Sequence, residues 1–384
     1  MDFEPTPEQR EVVAHAEETF RRVLEALTGG KSVEGTRNLR RAMGAQGLLG
    51  LNIPAEFGGV ALPLLDTLLV IEALQACSSE TGGLAHRAAT GVCGAILAYG
   101  TDKQKKTYLP GVCAGEIGIS IGITEPEAGS AATAMKTRAR VRGDEVIING
   151  SKQFVSAVSA NDFTVVYCRF GESGRSSDIG AVIVPHDAPG FSHSQGTVNM
   201  ADDHLFELYF DDCRVPADNV LLKENAFGKL ISVYNAERLG SIARMLGTAR
   251  ASYEYALEYS KQRRQFNREI CEFQGIQWML AEMRIKLDAA QLLTYRAAAT
   301  AQKTGLPAPL ETSIAKVFTA TAAKEICDDA IQILGANGYT KEYPVAHRYA
   351  EARGGSIYGG TLQIHKNMIA ERILERRFSQ WKKD

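Results

Sequence analysis

The sequence predicts an α+β protein with three consecutive parts: a helical domain over residues 1–117, a β domain over 118–226 and a helical bundle over 227–384. Apolar residues recur at three- and four-residue spacing up to about residue 117, which is typical of amphipathic helices. From about 118 to 222 they alternate with polar residues, which indicates strands, and the helical spacing then returns and lasts to the end. A chain of 384 residues is long enough to bury the cores of two or three domains.

Local signals support each part in turn. In the first, LLDTLLVIEALQAC and AATGVCGAILAYG have helical spacing, and loop signals such as AEFGG and YGTDKQ separate such segments. In the second, TRARVRGDEVIINGSKQFVSAV alternates polar and apolar residues, with Gly-Asp and Asn-Gly breaks that suit hairpins. In the third, two helical patterns exceed the usual length of a globular helix. Such helices usually pack in a bundle, often at an oligomer interface.

Composition excludes several classes of protein. The chain is 45% hydrophobic and 23% charged with a net charge of −2, and it has no long basic stripe, so we expect no nucleic-acid partner. The polar, acidic start is unlike a signal peptide. No apolar run approaches the roughly 18–20 residues that a membrane span needs. We therefore expect no membrane insertion and a cytoplasmic protein.

Cysteines and histidines give no sign of a metal site. The seven cysteines are scattered without a Cys-x-x-Cys pair, which argues against zinc and against a disulfide framework. The seven histidines are equally dispersed, and no His-Glu-x-x-His is present. We expect reduced, mostly buried thiols and no metal.

Two motifs of the β domain suggest a site for a planar ligand. In GISIGITEPEAGS, residues 118–130, small residues let backbone groups approach such a ligand closely, although any transition from strand to loop predicts as much. In NGSKQFVSAVSAND, Phe154 and Ser156 flank Val155 and therefore share one face of a strand. The pair could stack on a flat ring and hydrogen-bond to it; the alternative is a core phenylalanine beside a surface serine.

Three motifs of the C-terminal part suggest further contacts. In YSKQRRQFNREICEFQGIQ, Arg263 or Arg264 could bind a phosphate with two hydrogen bonds, or the arginines form a solvated turn. In AIQILGANGYTKEYPVAHRY, glycines 335 and 338 end a helix and permit close approach of a ligand or partner subunit. In SIYGGTLQIHKNMIAERIL, Gly359 and Gly360 precede an amphipathic run.

Taken in order, TEPEAGS, NGSKQFVS, RRQFNREICEFQ, AIQILGANGY and IYGGTLQIH resemble the acyl-CoA dehydrogenase family over essentially the whole chain. The resemblance implies an N-terminal helical domain, a middle β-barrel or β-sandwich and a C-terminal four-helix bundle. It also implies that the protein binds FAD and acyl-CoA. In that family a carboxylate removes the α proton of the thioester while the β carbon passes a hydride to flavin N5.

The resemblance also implies a set of cofactor-binding residues. One group lies against the flavin, and the other, from the neighbouring subunit or after the base position, holds the remainder of FAD. The first comprises Ile121, Ile123, Thr124, Phe154 and Ser156; the second comprises Arg263, Phe266, Gln274, Gln332, Gly335, Ala336, Thr361 and Gln363. Because the second group would reach a cofactor held mainly by another subunit, we expect a homodimer or homotetramer.

Substrate contacts follow from the same resemblance. Ser130 matches the contact to the pantetheine, and the other implied residues are Asn235, Arg238, Tyr358 and Gly360. Several positions depart from the family pattern, namely Ala131 in place of an aspartate and Asn267 and Ala336 in place of glycines. The segment GTVNMADDHLFELYF also lacks a common arginine.

The catalytic carboxylate is the main departure. Most family members have a glutamate where this chain has Gly359, but two branches, the isovaleryl and long-chain enzymes, carry the base far upstream. There it immediately precedes an arginine, and a glycine follows nine residues after that arginine; this chain has Glu237, Arg238 and Gly247 at that spacing. The resemblance therefore assigns the base to Glu237 and leaves Gly359 to polarise the thioester carbonyl through its N–H. An acid that complements a helix dipole is the alternative.

The acyl group and its carrier remain open. Arg87 falls on a helix that lines the far end of the acyl pocket in the family, so we expect a short tail with a polar or anionic end, unless this arginine points to solvent at the start of its helix. The leading function is an acyl-CoA dehydrogenase that passes electrons to an electron-transfer flavoprotein. One alternative substrate is an acyl or aminoacyl group on a carrier protein. The other alternative is a non-oxidising member, such as a desulfinase or an inert flavin-binding protein.

Overall fold

The computed structural model describes residues 4–26, 32–223 and 225–378. The predicted order of helices, strands and helices is confirmed. The helices in this part of the chain are α1 Pro7–Ala26, α2 Val33–Ala45, α3 Leu64–Cys77, α4 Ser79–Ala88, α5 Val92–Tyr99, α6 Asp102–Cys113, α7 Phe227–Gln262, α8 Gln274–Thr304, α9 Pro309–Leu334, α10 Pro344–Gly354 and α11 Leu362–Ile373. The strands are β1 Ile119–Gly122, β2 Arg138–Arg142, β3 Glu145–Ser156, β4 Phe163–Arg169, β5 Ile179–Pro185, β6 Phe191–His193, β7 Thr197–Val198, β8 His204–Pro216, β9 Val220–Leu222, β10 Arg264–Gln265 and β11 Arg268–Glu269.

The chain forms two compact units, one from Glu4 to Gly240 and one that begins at Ser241, so the boundary falls inside α7. The division into three domains with boundaries at 117 and 226 stays a prediction. Among the described helices none is both long and apolar enough to cross a membrane. The described residues also contain no cluster of His, Cys, Asp and Glu that could hold a metal ion.

In the first unit, α3 is the central helix of the N-terminal helices. Its sequence is apolar on nearly all sides, and every residue from Thr67 to Gln75 is buried, as expected for a helix surrounded by others. The neighbouring α4 approaches it closely at Gly82, where a Cβ would lie 2.3 Å from the side chain of Gln75. Helix α6 begins with a capping box at Thr101 and Gln104, and the Gln104 amide also donates to carbonyls beside β9.

The sheet of the first unit is mixed, with strand order β6-β8-β3-β2-β4-β5-β9. Strand β1 pairs with β4 in parallel, while β3 pairs with β2 and β8 in antiparallel fashion. Val146, Ile148 and Val155 of β3 face a buried core, which confirms the alternation that the sequence predicted. The pairing of β3 with β8 shifts in register between Lys152 and Val155. This β-bulge lies near the carboxyl end of β3.

In the second unit, the part of α7 from Ser241 packs with α8 and α9 around one apolar core. Met245 and Leu246 of α7, Met283 and Leu287 of α8 and Ile326 of α9 are buried there. Helix α9 contacts α8, α10 and α11, and several of its buried positions are alanines, which permit close approach of its neighbours. The helical bundle that the sequence predicted for the C-terminal part is confirmed.

Candidate active site

The two β-domain motifs meet at the carboxyl ends of β1 and β3. The Gln153 N–H donates to the carbonyl of Thr124 at 2.8 Å, and the Ser120 hydroxyl donates to the carbonyl of Ser156 at 2.9 Å. The loop after β1 is therefore hydrogen-bonded along the end of β3. This brings Ile121, Ile123 and Thr124 to the same edge of the sheet as Phe154 and Ser156.

A buried ion pair fixes this loop from inside. Lys152 of β3 is fully buried, and its Nζ donates to Glu125 Oε1 at 2.7 Å and to the Ile123 carbonyl at 3.2 Å. Glu125 also accepts from the backbone N–H groups of Lys136 and Thr137. Burial opposes ionisation of Glu125, but the charge of Lys152 and these hydrogen bonds outweigh it and lower the pKa of the carboxyl.

Phe154 is not a core residue. Its ring is 59% exposed, Ser156 is exposed beside it, and Val155 between them is buried. Phe154 also has φ +59°, a left-handed conformation that bulky residues rarely adopt and that tends to persist where a site requires it. The interpretation as a core phenylalanine is wrong. An exposed aromatic face beside a hydroxyl at a strained bulge fits a flat aromatic ligand such as a flavin ring.

The Arg-rich motif and the Gly-rich motif of the second unit are joined by one hydrogen bond. The amide of Asn337 donates to the Tyr259 hydroxyl at 2.9 Å. The predicted cofactor residues in these two motifs are all exposed: Arg263, Phe266, Gln274, Gln332, Gly335 and Ala336. The Phe266 ring is 88% exposed, which is unusual for so large an apolar side chain and indicates a surface meant for contact.

The hairpin of β10 and β11 decides between the two candidate arginines. Phe266 and Asn267 at its tip have φ +50° and +61°, and asparagine suits such a left-handed turn nearly as well as glycine. Asn267 therefore fits the left-handed conformation that the tip of this hairpin requires. Arg264 donates to the Asn267 carbonyl at 2.8 Å and lies 3.8 Å from Glu269, so it stabilises the hairpin. Arg263 remains the candidate for a phosphate.

The turn at Gly359 and Gly360 is held by a buried histidine. Both glycines have left-handed φ values, +70° and +96°, which favour glycine strongly. His365 Nε2 donates to the Gly359 carbonyl at 3.2 Å, while its Nδ1 lies 3.1 Å from the Ser313 hydroxyl. Thr361 caps the start of α11, where its hydroxyl accepts from the backbone N–H of Ile364. Gln363, one residue into the helix, is exposed.

The space beside Gly359 faces a buried cation. A Cβ added to Gly359 would lie 3.7 Å from Nζ of Lys316 and 3.9 Å from the Ser241 hydroxyl, both ordinary contact distances. Lys316 is fully buried, and its ammonium lies 4.8 Å from the ring centre of Tyr358, which is a cation–π contact. Lys316 was not identifiable from local patterns, since a single lysine in a helical pattern usually faces solvent.

Glu237 of α7 lies in a nearly closed environment of protic side chains. Its side chain is only 15% exposed, and Oε1 lies 3.5 Å from Nε2 of His86 on α4. Burial and then the charge of Glu237 raise the pKa of Tyr234 well above its ordinary value, and Tyr234 is hydrogen-bonded to the carboxylate. The same two causes raise the pKa of Tyr167 on β4. Both tyrosines are thus uncharged, and Tyr234 is hydrogen-bonded to the buried carboxylate.

The predicted substrate residues of the first unit have different surroundings. Arg238 is buried, donates to Asn235 Oδ1 at 2.8 Å and lies over the Tyr234 ring at 5.2 Å. Ser130 is exposed at the end of the loop that follows β1. Arg87 is half-buried in the last turn of α4, so the alternative of a solvent-pointing arginine at a helix start does not describe it. It directly follows His86, the contact residue of Glu237.

Sequence reasoning missed His86, Tyr234 and the pair of Lys152 with Glu125. Tyr234 precedes Glu237 by three residues on a helix, a spacing that places both side chains on one face and could have indicated it. Lys152 lies within a quoted motif, at an inward position of the strand. A lone histidine such as His86 carries no such signal.

Comparison with known proteins covers the whole described chain. Models of the N-terminal, middle and C-terminal domains of acyl-CoA dehydrogenase match residues 6–116, 120–213 and 227–374. A 3-sulfinopropanoyl-CoA desulfinase of Paraburkholderia xenovorans is 36% identical over 98% of this chain and 99% of its own. A short-chain-specific acyl-CoA dehydrogenase of Clostridium acetobutylicum is 32% identical over 97% and 100%. A glutaryl-coenzyme A dehydrogenase solved with glutaryl-CoA is 30% identical, with a TM-score of 0.89 over 100% of this chain and 99% of that one.

Proposed function

Because the chain belongs to the acyl-CoA dehydrogenase family, we propose that it is an FAD-dependent dehydrogenase of a short acyl-CoA whose tail ends in a polar or anionic group. The observation that carries this proposal is the buried carboxylate of Glu237. Removal of a weakly acidic α proton requires a base from which water is largely excluded, and the family's usual glutamate is replaced by Gly359.

Two groups of residues fit FAD. The exposed Phe154 ring and Ser156 hydroxyl, with the backbone of residues 121–124, present a flat apolar face and a hydrogen-bonding edge to an isoalloxazine. Exposed Arg263 provides a cation for the pyrophosphate, and its neighbours in the second unit provide amide groups for the adenosine. When bound, FAD accepts the hydride that leaves the β carbon of the substrate. Because a partner subunit would supply the second group, we propose a homodimer or homotetramer.

Glu237 takes the α proton in this proposal. Tyr234 is hydrogen-bonded to the Glu237 carboxylate, and Nε2 of His86 lies 3.5 Å from its Oε1, so the carboxylate is oriented before a substrate enters. Because water has little access to this carboxylate, it takes its proton from the substrate rather than from solvent. After the reaction, the proton resides on a Glu237 oxygen and leaves when the product has departed.

Gly359 polarises the thioester carbonyl through its N–H. The left-handed φ values of Gly359 and Gly360 and the hydrogen bond from His365 fix the direction of this part of the backbone. A preorganised N–H donor stabilises the negative charge that develops on the carbonyl oxygen when the α proton leaves. No side chain is needed at position 359 for this role.

Arg87 recognises the anionic end of the tail. Its half-buried guanidinium, one residue after His86, would make a long alkyl tail unfavourable through desolvation and would pair with a carboxylate or similar group. The solved relative with glutaryl-CoA gives a precedent, since a glutaryl tail ends in a carboxylate. Electrons then pass to an electron-transfer flavoprotein, which we assign as the acceptor.

A panel of thioesters tests this function. Under anaerobic conditions, acyl-CoA substrates with short carboxylate-ended tails should bleach the visible flavin absorbance, while palmitoyl-CoA should not. Assays with the same acyl group on CoA and on a carrier protein show which of the two carriers the enzyme accepts at Ser130. If no thioester reduces the flavin, the protein is not a dehydrogenase.

A second candidate is release of a sulfinate group from an acyl-CoA. The relatives named 3-sulfinopropanoyl-CoA desulfinase, 36% and 33% identical to this chain, favour it. In that reaction the C–S bond breaks, a proton replaces sulfur on carbon, water supplies oxygen to the sulfur, and sulfite is released. Because no net electrons reach the flavin, sulfite production with unchanged flavin absorbance would identify this activity.

A further inference from the structure

His86 is the side chain of α4 that meets Glu237. It is 6% exposed, and Nε2 lies 3.0 Å from the backbone carbonyl of Glu237 and 3.5 Å from its carboxylate Oε1. A carbonyl oxygen can only accept, so Nε2 of His86 carries a proton. The same N–H then points to both the backbone and the side chain of one residue.

The position of this ring is determined by close packing of α4 against α7. At Gly240, one turn after Glu237, a Cβ would lie 2.4 Å from Cδ2 of His86 and 2.0 Å from the Thr90 hydroxyl. Only glycine permits this approach. The imidazole therefore packs directly against the backbone of α7 at Gly240, beside Glu237.

The groups around the carboxylate come from three elements. His86 approaches from α4, Tyr167 from β4, and Tyr234 and Arg238 from α7 itself. Tyr234 is hydrogen-bonded to the carboxylate from the same helix, whereas Nε2 of His86 lies 3.5 Å from Oε1 and belongs to a different helix. Rotation of the carboxylate would therefore lose at least one of these two polar contacts.

We propose that His86 is a positioning residue for the base: it holds the carboxylate of Glu237 in the one orientation from which it can take the α proton. The inference rests on the function proposed above. His86 does not itself exchange a proton with the substrate. Its contribution is orientation, so it should change the rate of proton removal and leave substrate affinity nearly unchanged.

The test measures proton removal without hydride transfer. In the holoenzyme, a thioester with sulfur in place of the β carbon can lose its α proton but cannot pass a hydride. Exchange of its α hydrogen with deuterium from solvent, followed by mass spectrometry, reports the base alone. Calorimetry with the same compound reports affinity, and thermal unfolding reports packing, so two measurements do not depend on turnover.

Three variants separate the possible outcomes. His86→Leu removes the donor and should slow exchange about tenfold, equivalent to about 1.4 kcal/mol, with affinity within about twofold of the parent. His86→Gln retains an N–H donor and should recover most of this loss. Thr90→Val is the matched control, since Thr90 meets Gly240 in the same contact without touching the carboxylate, and it should exchange at the parent rate.

Each alternative result has a distinct meaning. If Glu237→Gln exchanges as fast as the parent, the proposed base is wrong. If Glu237→Gln is inactive but His86→Leu exchanges at the parent rate, the base is correct and the inference about His86 is overturned. Equal losses in the leucine, glutamine and Thr90→Val variants would mean that the contact matters only for packing, which also overturns it.

Discussion

Replacing Glu237 by glutamine is the most direct perturbation of the proposed mechanism. The substitution keeps the size of the side chain and removes its basicity. The amide oxygen of glutamine can still accept hydrogen bonds from Tyr234 and His86, so the side chain should remain in place. The contact of α4 with α7 at Gly240 does not involve the carboxylate and should persist.

The expected loss in rate is large. A positioned general base typically contributes about 10²–10⁴-fold. The side chain of Glu237 is only 15% exposed, so water has little access to act as a substitute base, and we expect the upper part of this range. A loss of about 10³–10⁴-fold corresponds to about 4–5.5 kcal/mol in the barrier.

Rapid-mixing measurement of flavin reduction under anaerobic conditions gives the rate directly. FAD content and affinity for an unreactive thioester should match the parent, which excludes loss of fold. Glu258→Gln, an exposed position on the same helix, is the control and should reduce its flavin normally. If Glu237→Gln reduces its flavin as fast as the parent, the base lies elsewhere and the reasoning fails.

A second-site change tests whether position 359 can still deliver a carboxylate. Adding Gly359→Glu to Glu237→Gln should restore part of the activity, because a Cβ there meets only Lys316 Nζ and the Ser241 hydroxyl, at 3.7 Å and 3.9 Å. Recovery should be incomplete, since a side chain at φ +70° costs about 1–2 kcal/mol. A double variant with no more activity than Glu237→Gln, yet normally folded, would contradict this expectation.

Three further predictions concern other contacts. Arg87→Ala should raise KM for carboxylate-ended thioesters about tenfold and leave neutral ones unchanged; equal effects on both would refute tail recognition. Arg263→Ala should weaken FAD binding about tenfold in a titration of apoprotein, and unaltered affinity would remove it from the pyrophosphate site. Lys152→Met should destabilise the protein by about 3–5 kcal/mol in urea unfolding at neutral pH, because Glu125 then stays buried without its cation, whereas Lys136→Met at the surface should change little. Because the folded-state pKa of Glu125 is lowered, its contribution is present above the ordinary carboxyl pKa and is lost as pH falls through the lowered value, so the difference between parent and Lys152→Met should shrink in acid.

The order of the secondary structure could be predicted because each part has one clear period. The alternation around Val155 also predicted which side of β3 carries Phe154 and Ser156. The left-handed φ of Phe154 could not be predicted, because it depends on the bulge in the pairing of β3 with β8, and register between distant strands is not visible in local spacing.

The candidate site was predicted where short motifs carry it and missed where packing creates it. The motif around Glu237 identified the acid, but the approach of His86 depends on contact between α4 and α7 at Gly240. The family resemblance favoured Arg263 over Arg264, but the role of Arg264 was not predicted, because its hydrogen bond to the Asn267 carbonyl depends on the hairpin geometry. Local sequence patterns therefore identify candidate residues, whereas tertiary contacts determine the role of each residue.

The glycine pair at 359 and 360 has a consequence for how such an enzyme can diversify. On the proposed assignment, the acidity of the substrate depends on a backbone amide in this turn, and the base is encoded in a separate segment, on α7. A mutation near the turn can then alter carbonyl polarisation without changing the base, and a mutation beside Glu237 can alter the base without moving the amide. Selection could adjust the two halves of the chemistry independently, and loss of the acid alone would leave a scaffold that still holds and activates a thioester for a different reaction.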